Sequence, residues 1–245
     1  MNIDLVKQRI SNKKSLRFLL AILIVILLFL YLKYFFTTGV FYDDAFLKKQ
    51  GEYPNIQYIG KAKQGIIQIS VKALTNKQDS IDVNFRLPND INKQYNVSFK
   101  DVDYWGYSNL NIKDENGNTV FHGQYIKDSP FLFDENGTPF WEEAGIIVNK
   151  EINYNEDYKI FLKSIADFAA LANEGIRGEF GYLVLAIIIF ALTLIDIKYP
   201  LLFFSLNHMF TVKDPEPSDF YISMQQISWV VMPIIGLILL IVAVI

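Results

Sequence analysis

Nineteen consecutive residues near the N-terminus, Phe18 to Phe36, read FLLAILIVILLFLYLKYFF and carry one charge, Lys33. As a helix this stretch is about 28 Å long, close to the hydrocarbon thickness of a bilayer. Lys33 sits near its far end, where a long ammonium stem can snorkel to the headgroups, and Tyr31 and Tyr34 suit the interface. Ahead of it stand Lys7, Arg9, Lys13, Lys14 and Arg17 against one acid, Asp4. By the positive-inside rule residues 1–17 should stay in the cytoplasm. A cleaved signal peptide needs a small-residue cleavage site after the apolar run. Thr37-Thr38-Gly39-Val40-Phe41-Tyr42 has no Ala-x-Ala pattern, so the expectation is a retained signal anchor over 18–36.

Two more apolar runs follow, at 180–197 and 227–245. Together they predict transmembrane helices 2 and 3, with residues 37–179 extracytoplasmic, a cytoplasmic loop at 198–226 and a cell-membrane, multi-pass location. Residues 37–179 hold 15 Lys and Arg against 21 Asp and Glu, whereas the overall charge is only −3. An acidic domain lacks the basic face that nucleic acid requires. The chain has no Cys, which excludes disulfides, thiolate nucleophiles and Cys-ligated metals. The exported domain must therefore be held by its own core, and it is long enough to build one. Abundant Asn, Lys, Ile and Tyr point to an AT-rich bacterial genome.

Within the exported segment, Val40–Pro54 shows little periodicity and reads as a connector. After it the period becomes two. Ile67, Ile69, Val71 and Ala73 alternate with polar residues, as do Ile81, Val83, Phe85 and Leu87, then Tyr95, Val97 and Phe99. These are strands with one buried face. Asn76–Ser80 and Pro88-Asn89-Asp90 read as turns. Asp-Glu-Asn-Gly occurs twice, at 114–117 and 134–137, each time as hairpin turn chemistry. Ile146–Val148 and Tyr158–Leu162 complete seven or eight strands, the count expected of a β-sandwich. Ser164 is placed to N-cap a helix over about 165–174, giving a β core of about 55–163. Gly175, Gly178 and Gly181 read as a flexible joint before the membrane, with a close helix–helix contact as the alternative. The expected fold class is thus a membrane protein with three transmembrane α-helices and an extracytoplasmic, mainly-β, sandwich-like domain.

Beyond the second apolar run, Asp196 and Lys198 fall where the cytoplasmic surface should begin, so Asp196 reads as a solvated carboxylate. Pro200 opens an apolar helix, 201–212, with Ser205, His208 and Thr211 as a polar stripe, suited to the inner leaflet. Ser218 can N-cap the helix after it, and Pro233 inside the third run implies a kink.

The stretch Tyr182–Ile245 resembles small bacterial membrane proteins of unknown function, the family called domain of unknown function 6199. The resemblance rests on Tyr199-Pro200, Phe203-Phe204, Val212-Lys213 and Glu216-Pro217-Ser218-Asp219-Phe220-Tyr221. It departs at Phe204, where Trp is expected, and at Gln226-Ile227-Ser228-Trp229, where Arg-Ile-Gly-Gly is expected. It covers about a quarter of the chain and implies a two-span membrane module without a known activity. Pro200, Lys213, Glu216, Pro217 and Ser218 become a candidate membrane-loop motif.

No catalytic constellation emerges. The two histidines, His122 and His208, fall on opposite sides of the membrane in this topology, so neither a His-based metal site nor a Ser-His-Asp triad can use both. Asp101-Val102-Asp103 and the two Asp-Glu-Asn-Gly turns lack the closing Glu of a calcium loop. Glu142-Glu143 reads as a solvated pair. Aromatics concentrate at Tyr104, Trp105, Tyr107, Phe131, Phe133, Phe140 and Trp141. Core packing accounts for most of them, and an exposed subset of Tyr104, Trp105, Tyr107, Phe140 and Trp141 would mark a partner surface. The expectation is a non-enzymatic binding or accessory protein, of immunity type if the partner is an incoming toxin, without cofactor or metal. Its partners would be the lipid bilayer and another protein. The alternative is a subunit of a transport or export complex.

Overall fold

A computed structural model of the chain describes residues 3–74, 80–100, 107–141, 154–155, 158–208 and 216–245. The order opens with α1 (Ile3–Phe35), β1 (Thr38–Tyr42), β2 (Ala45–Glu52), β3 (Asn55–Ala62), β4 (Gly65–Ala73), β5 (Ser80–Leu87) and β6 (Ile91–Ser98). It continues with β7 (Tyr107–Lys113), β8 (Thr119–Tyr125), β9 (Leu132–Phe133), β10 (Pro139–Phe140), α2 (Leu162–Ala169) and β11 (Gly175–Ile176). It ends with α3 (Phe180–Lys198), α4 (Leu202–His208) and α5 (Asp219–Val242). Two compact units result, Thr38–Ile176 and the remainder on either side of it.

Among the described residues of the first unit eleven strands join one antiparallel sheet, in the order β10-β9-β8-β7-β6-β5-β4-β3-β2-β1-β11. Ten neighbours in chain order pair as a meander, so their contacts are sequence-local; only β11 returns from far along the chain to lie beside β1. The period-two residues fill one face in cross-strand rows. Ile56 lies opposite Val71 and Val71 opposite Val83, while Tyr58 lies opposite Ile69 and Ile69 opposite Phe85. Val97, Ile112 and Phe121 form another row. Such pairs hold the register, because a one-residue slip would turn every apolar side chain outward.

Helix α2 packs against part of that face. In α2, Ile165, Ala166, Phe168 and Ala169 are buried. The Phe168 ring centroid lies 5.7 Å from Tyr42, 5.4 Å from Tyr58 and 5.7 Å from Phe85. Polar ties fasten the helix and the segment after it. Asp167 accepts from Tyr125 Oη (2.8 Å), from Asn173 Nδ2 (3.0 Å) and from Lys163 Nζ. Glu174 accepts from Tyr58 Oη and pairs with Lys49 Nζ at 2.6 Å.

The turns follow their chemistry. In both Asp-Glu-Asn-Gly segments the aspartate Oδ1 accepts from the backbone N–H two and four residues on, at 2.8–3.0 Å. Gly117 and Gly137 sit at φ 82° and 77°, where a Cβ would have open space but a strained backbone.

Several expectations change. The strands form one hydrogen-bonded sheet, where a sandwich pictures two; the supported description is a mainly-β unit. The connector at Val40–Pro54 is instead strands β1 and β2: Val40, Tyr42, Ala45 and Leu47 are buried, but the polar run Lys48–Glu52 hides their period. The β core therefore spans 38–176, wider than 55–163. Tyr158–Leu162 is not a strand, and the helix begins at Leu162, with Phe161 in the cap position and no side-chain cap. Burying Ile165 and Phe168 on the sheet outweighs the capping that Ser164 could offer. Ile146–Val148 lies outside the described residues.

Among the described residues of the second unit three helices are long and apolar enough to cross a membrane: α1 over Phe18–Phe35, α3, and α5. Helix α1 runs back through the basic segment to Ile3, and α5 starts at Asp219, eight residues before the apolar run at 227. Ser218 caps α5, its Oγ accepting from Tyr221 N at 3.2 Å. Helices α3 and α5 form an antiparallel hairpin in which Gly236 meets Phe190; a Cβ there would lie 2.8 Å from Phe190 Cζ. At the other end of the unit, loose helix C-termini are tied together. Gly178 N donates to Phe35 O (2.9 Å), Glu179 N to Ala243 O (2.8 Å), Arg177 Nε to Val244 O (2.9 Å) and Tyr31 Oη to Leu240 O (3.1 Å). These donors satisfy carbonyls that have no partner within their own helix, and the Arg177 charge suits their dipoles. Gly178 is thus a close-approach residue: a Cβ on it would fall 2.2 Å from the Phe35 ring. The joint reading does not hold for that position.

Candidate functional site in the α3–α5 hairpin

On α3, Ile189, Leu192, Thr193 and Asp196 recur at spacings of three and four, so they share one face. On α5, Tyr221, Gln225, Ser228 and Met232 do the same, with Met224 and Trp229 alongside. Between these faces, with Phe203 of α4 at the edge, lies a mostly apolar cleft of about 540 Å³, a size typical of ligand pockets.

Asp196 is its charged group. Gln225 Nε2 donates to Asp196 Oδ1 at 2.8 Å and Trp229 Nε1 donates to Oδ2 at 2.7 Å. Each oxygen thus accepts from a neutral donor, which fixes the carboxylate without neutralising it. No Lys, Arg or His among the described residues forms an ion pair with it. Gln225 and Thr193 are buried; Thr193 Oγ1 donates to Ile189 O (2.8 Å), closing its own polarity inside α3. Pro233 has no N–H to offer the carbonyl of Trp229, four residues earlier, so the ordinary helical donor is missing beside the cleft.

The solvated reading of Asp196 is therefore corrected: it is half-buried and held from the facing helix. Its partners lie 29 and 33 residues away. The signal that could have found them is the helical face through Tyr221, Gln225, Ser228 and Met232, set opposite Asp196 by the α3–α5 hairpin.

Of the candidate loop motif, Lys213 lies outside the described residues. Pro200 precedes α4, Glu216 is exposed, Pro217 is half-buried and Ser218 serves as the α5 cap. Of the expected polar stripe, Thr211 lies outside the described residues, Ser205 is exposed and His208 is half-buried, its Nδ1 2.8 Å from Phe204 O. The buried residue of α4 is Phe204, whose ring lies 4.9 Å from that of Tyr221. Of the candidate aromatic surface, Tyr104 and Trp105 lie outside the described residues, as does the Tyr107 side chain; the Tyr107 backbone opens β7. Phe140 and Trp141 are brought together at the β10 edge of the sheet. Phe140 packs on Phe121 (5.1 Å) and Trp141 on Phe131 (4.5 Å), and Trp141 is 71% exposed.

A third polar cluster is in the β unit. Tyr154 Oη and Tyr158 Oη donate to Asp43 Oδ2 at 2.7 and 2.8 Å, and Tyr42 Oη lies 3.3 Å from Tyr158 Oη. Burial, first of all, pushes the ionisation of Tyr42, Tyr58, Tyr154 and Tyr158 well above the ordinary tyrosine value; neighbouring Asp43 adds to this for Tyr42, Tyr154 and Tyr158, and Glu174 for Tyr58. These phenols stay protonated and act as ties. Among the described residues no group of three His, Asp or Glu is arranged to hold a metal ion.

Against known proteins, the decisive match falls on the hairpin. Residues 185–243 match the family of unknown function DUF6199. The match covers α4 and α5 whole and α3 from Leu185 onward, and hence every residue of the Asp196 cleft, and it leaves the β unit outside. No curated protein and no solved structure matches the chain. Trp229, which donates to Asp196, is one of the positions where the resemblance leads one to expect Gly.

Proposed function

We propose that this chain is a bacterial multi-pass membrane protein that works by binding rather than by catalysis, holding its β unit outside the cell membrane with the N-terminus in the cytoplasm. The observation that carries this is the contrast between its two units. The apolar side chains of Phe18–Phe35 in α1, of α3 and of α5 are largely exposed, which only a lipid medium or a partner accommodates, whereas Thr38–Ile176 buries its own core as a water-soluble domain does. The exposed Phe140 and Trp141 at the sheet edge suit a protein partner.

The test replaces Trp141 by a photo-crosslinking amino acid in intact cells. A discrete adduct with another protein, absent when the crosslinker stands at Glu115, supports the reading. No adduct at Trp141, or alkaline carbonate stripping the chain from membranes, contradicts it. A second reading, a subunit of a transport or export complex, is favoured by one specific observation: Asp196, an acid in no ion pair among the described residues, on a helix that would lie in the membrane.

A further inference from the structure

The Asp196 cleft combines three features. Its wall is apolar over most of its length, through Leu192 and Met232 among others. Its charged group is a carboxylate oriented by two neutral donors, with no cation supplied by the described residues. The rings of Trp229, Tyr221 and Phe203 line the same space. An oriented carboxylate in apolar surroundings is costly to leave unpaired, and electron-rich ring faces attract a cation. A metal ion would need several more oxygen ligands than one carboxylate. A molecule with one positive nitrogen and an apolar tail matches all three features.

We propose that this cleft binds the ammonium headgroup of an amphiphile, a positive nitrogen joined to a hydrocarbon chain. The nitrogen sits against Asp196 among the three rings, and the chain lies along Leu192 and Met232. Asp196 supplies the charge, and Gln225 and Trp229 are positioning residues that aim it. The volume of about 540 Å³ accommodates a chain as well as a headgroup. The inference rests on the membrane reading above but not on the protein partner.

The test is native mass spectrometry of the full chain in a non-ionic detergent, titrated separately with dodecyltrimethylammonium, phosphatidylethanolamine and phosphatidylglycerol. A single saturable adduct with dodecyltrimethylammonium is expected. Asp196→Asn should weaken it about tenfold or more, the effect of losing one charged contact. Leu192→Trp, which fills the tail end and leaves Asp196 untouched, should weaken it as well; both variants should keep wild-type helicity by circular dichroism. Glu216→Gln should change nothing. Phosphatidylethanolamine binding with the same Asp196 dependence identifies a membrane lipid as the source; binding of dodecyltrimethylammonium alone identifies a free amphiphile. Equal binding by wild type and both variants, an equal preference for phosphatidylglycerol, or a co-purified protein subunit released by Asp196→Asn would overturn the proposal. Carbonate-resistant chain with no adduct would refute the site while leaving the membrane reading intact.

Discussion

Phe168→Ala should be the most damaging single truncation in the β unit. The ring is 5% exposed and packs against Tyr42, Tyr58 and Phe85, so it joins strands β1, β3 and β5 to α2. Removing about 150 Å² of buried ring at about 25 cal/mol/Å² loses about 4 kcal/mol. The aromatic pairings and the cavity left behind place the total at about 3–5 kcal/mol. Domains of this size are stable by only about 5–15 kcal/mol, so the loss takes a large fraction. The assay is urea unfolding of a Thr38–Ile176 fragment followed by far-ultraviolet circular dichroism, with Phe41→Ala as control. Phe41 is 60% exposed and should cost less than about 1 kcal/mol. If Phe168→Ala also costs less than about 1 kcal/mol, α2 does not close the core and the packing of the helix on the sheet is wrong.

Further outcomes rest on other contacts. A fragment covering 51–163 lacks β1, nearly all of β2, Phe168 and the β1–β11 closure, and should be unfolded by circular dichroism where Thr38–Ile176 is folded. Gly178→Ala drives a Cβ into the Phe35 ring and should destabilise the helical unit by about 1–3 kcal/mol, read as a lower thermal midpoint in detergent; Gly175→Ala, with open space around it, should not. In the β unit, Tyr42, Tyr58, Tyr154 and Tyr158 ionise at higher pH when folded than when unfolded. The folded state then holds more protons above about pH 10, so stability is complete below that and falls as pH rises, by up to about 1.4 kcal/mol per unit for each tyrosine. Urea midpoints unchanged between pH 8 and 11 would contradict this.

Much of the architecture is legible in the sequence, because its signals are local. Period-two runs such as Ile67–Ala73 and Ile81–Leu87 mark β4 and β5, and Ser218 marks the start of α5. The features that escape are long-range. Thr38 and Gly39 pair with Ile176 and Gly175 across the whole domain, and nothing near either segment announces it. Strand β2 escapes because its second half is polar. The sandwich expectation rests on strand count alone, and count cannot distinguish one long meander from two sheets. At the candidate site Asp196 is conspicuous as a charge closing an apolar run. Gln225 and Trp229 are ordinary residues until the hairpin folds them against it.

The orientation of the chain bears on every other claim, and the absence of Cys makes it directly measurable. Single cysteines placed at the exposed positions Glu115, Ser205 and Glu216 can be challenged with an impermeant maleimide in intact cells. In the proposed topology the N-terminus stays inside, because each of the five basic residues before the first span would cost about 2.5–3.5 kcal/mol to bury at mid-membrane. With that topology, labelling is expected at 115 alone, with 205 and 216 reacting only after the cells are opened. Labelling at 216 in intact cells, or none at 115, would contradict it.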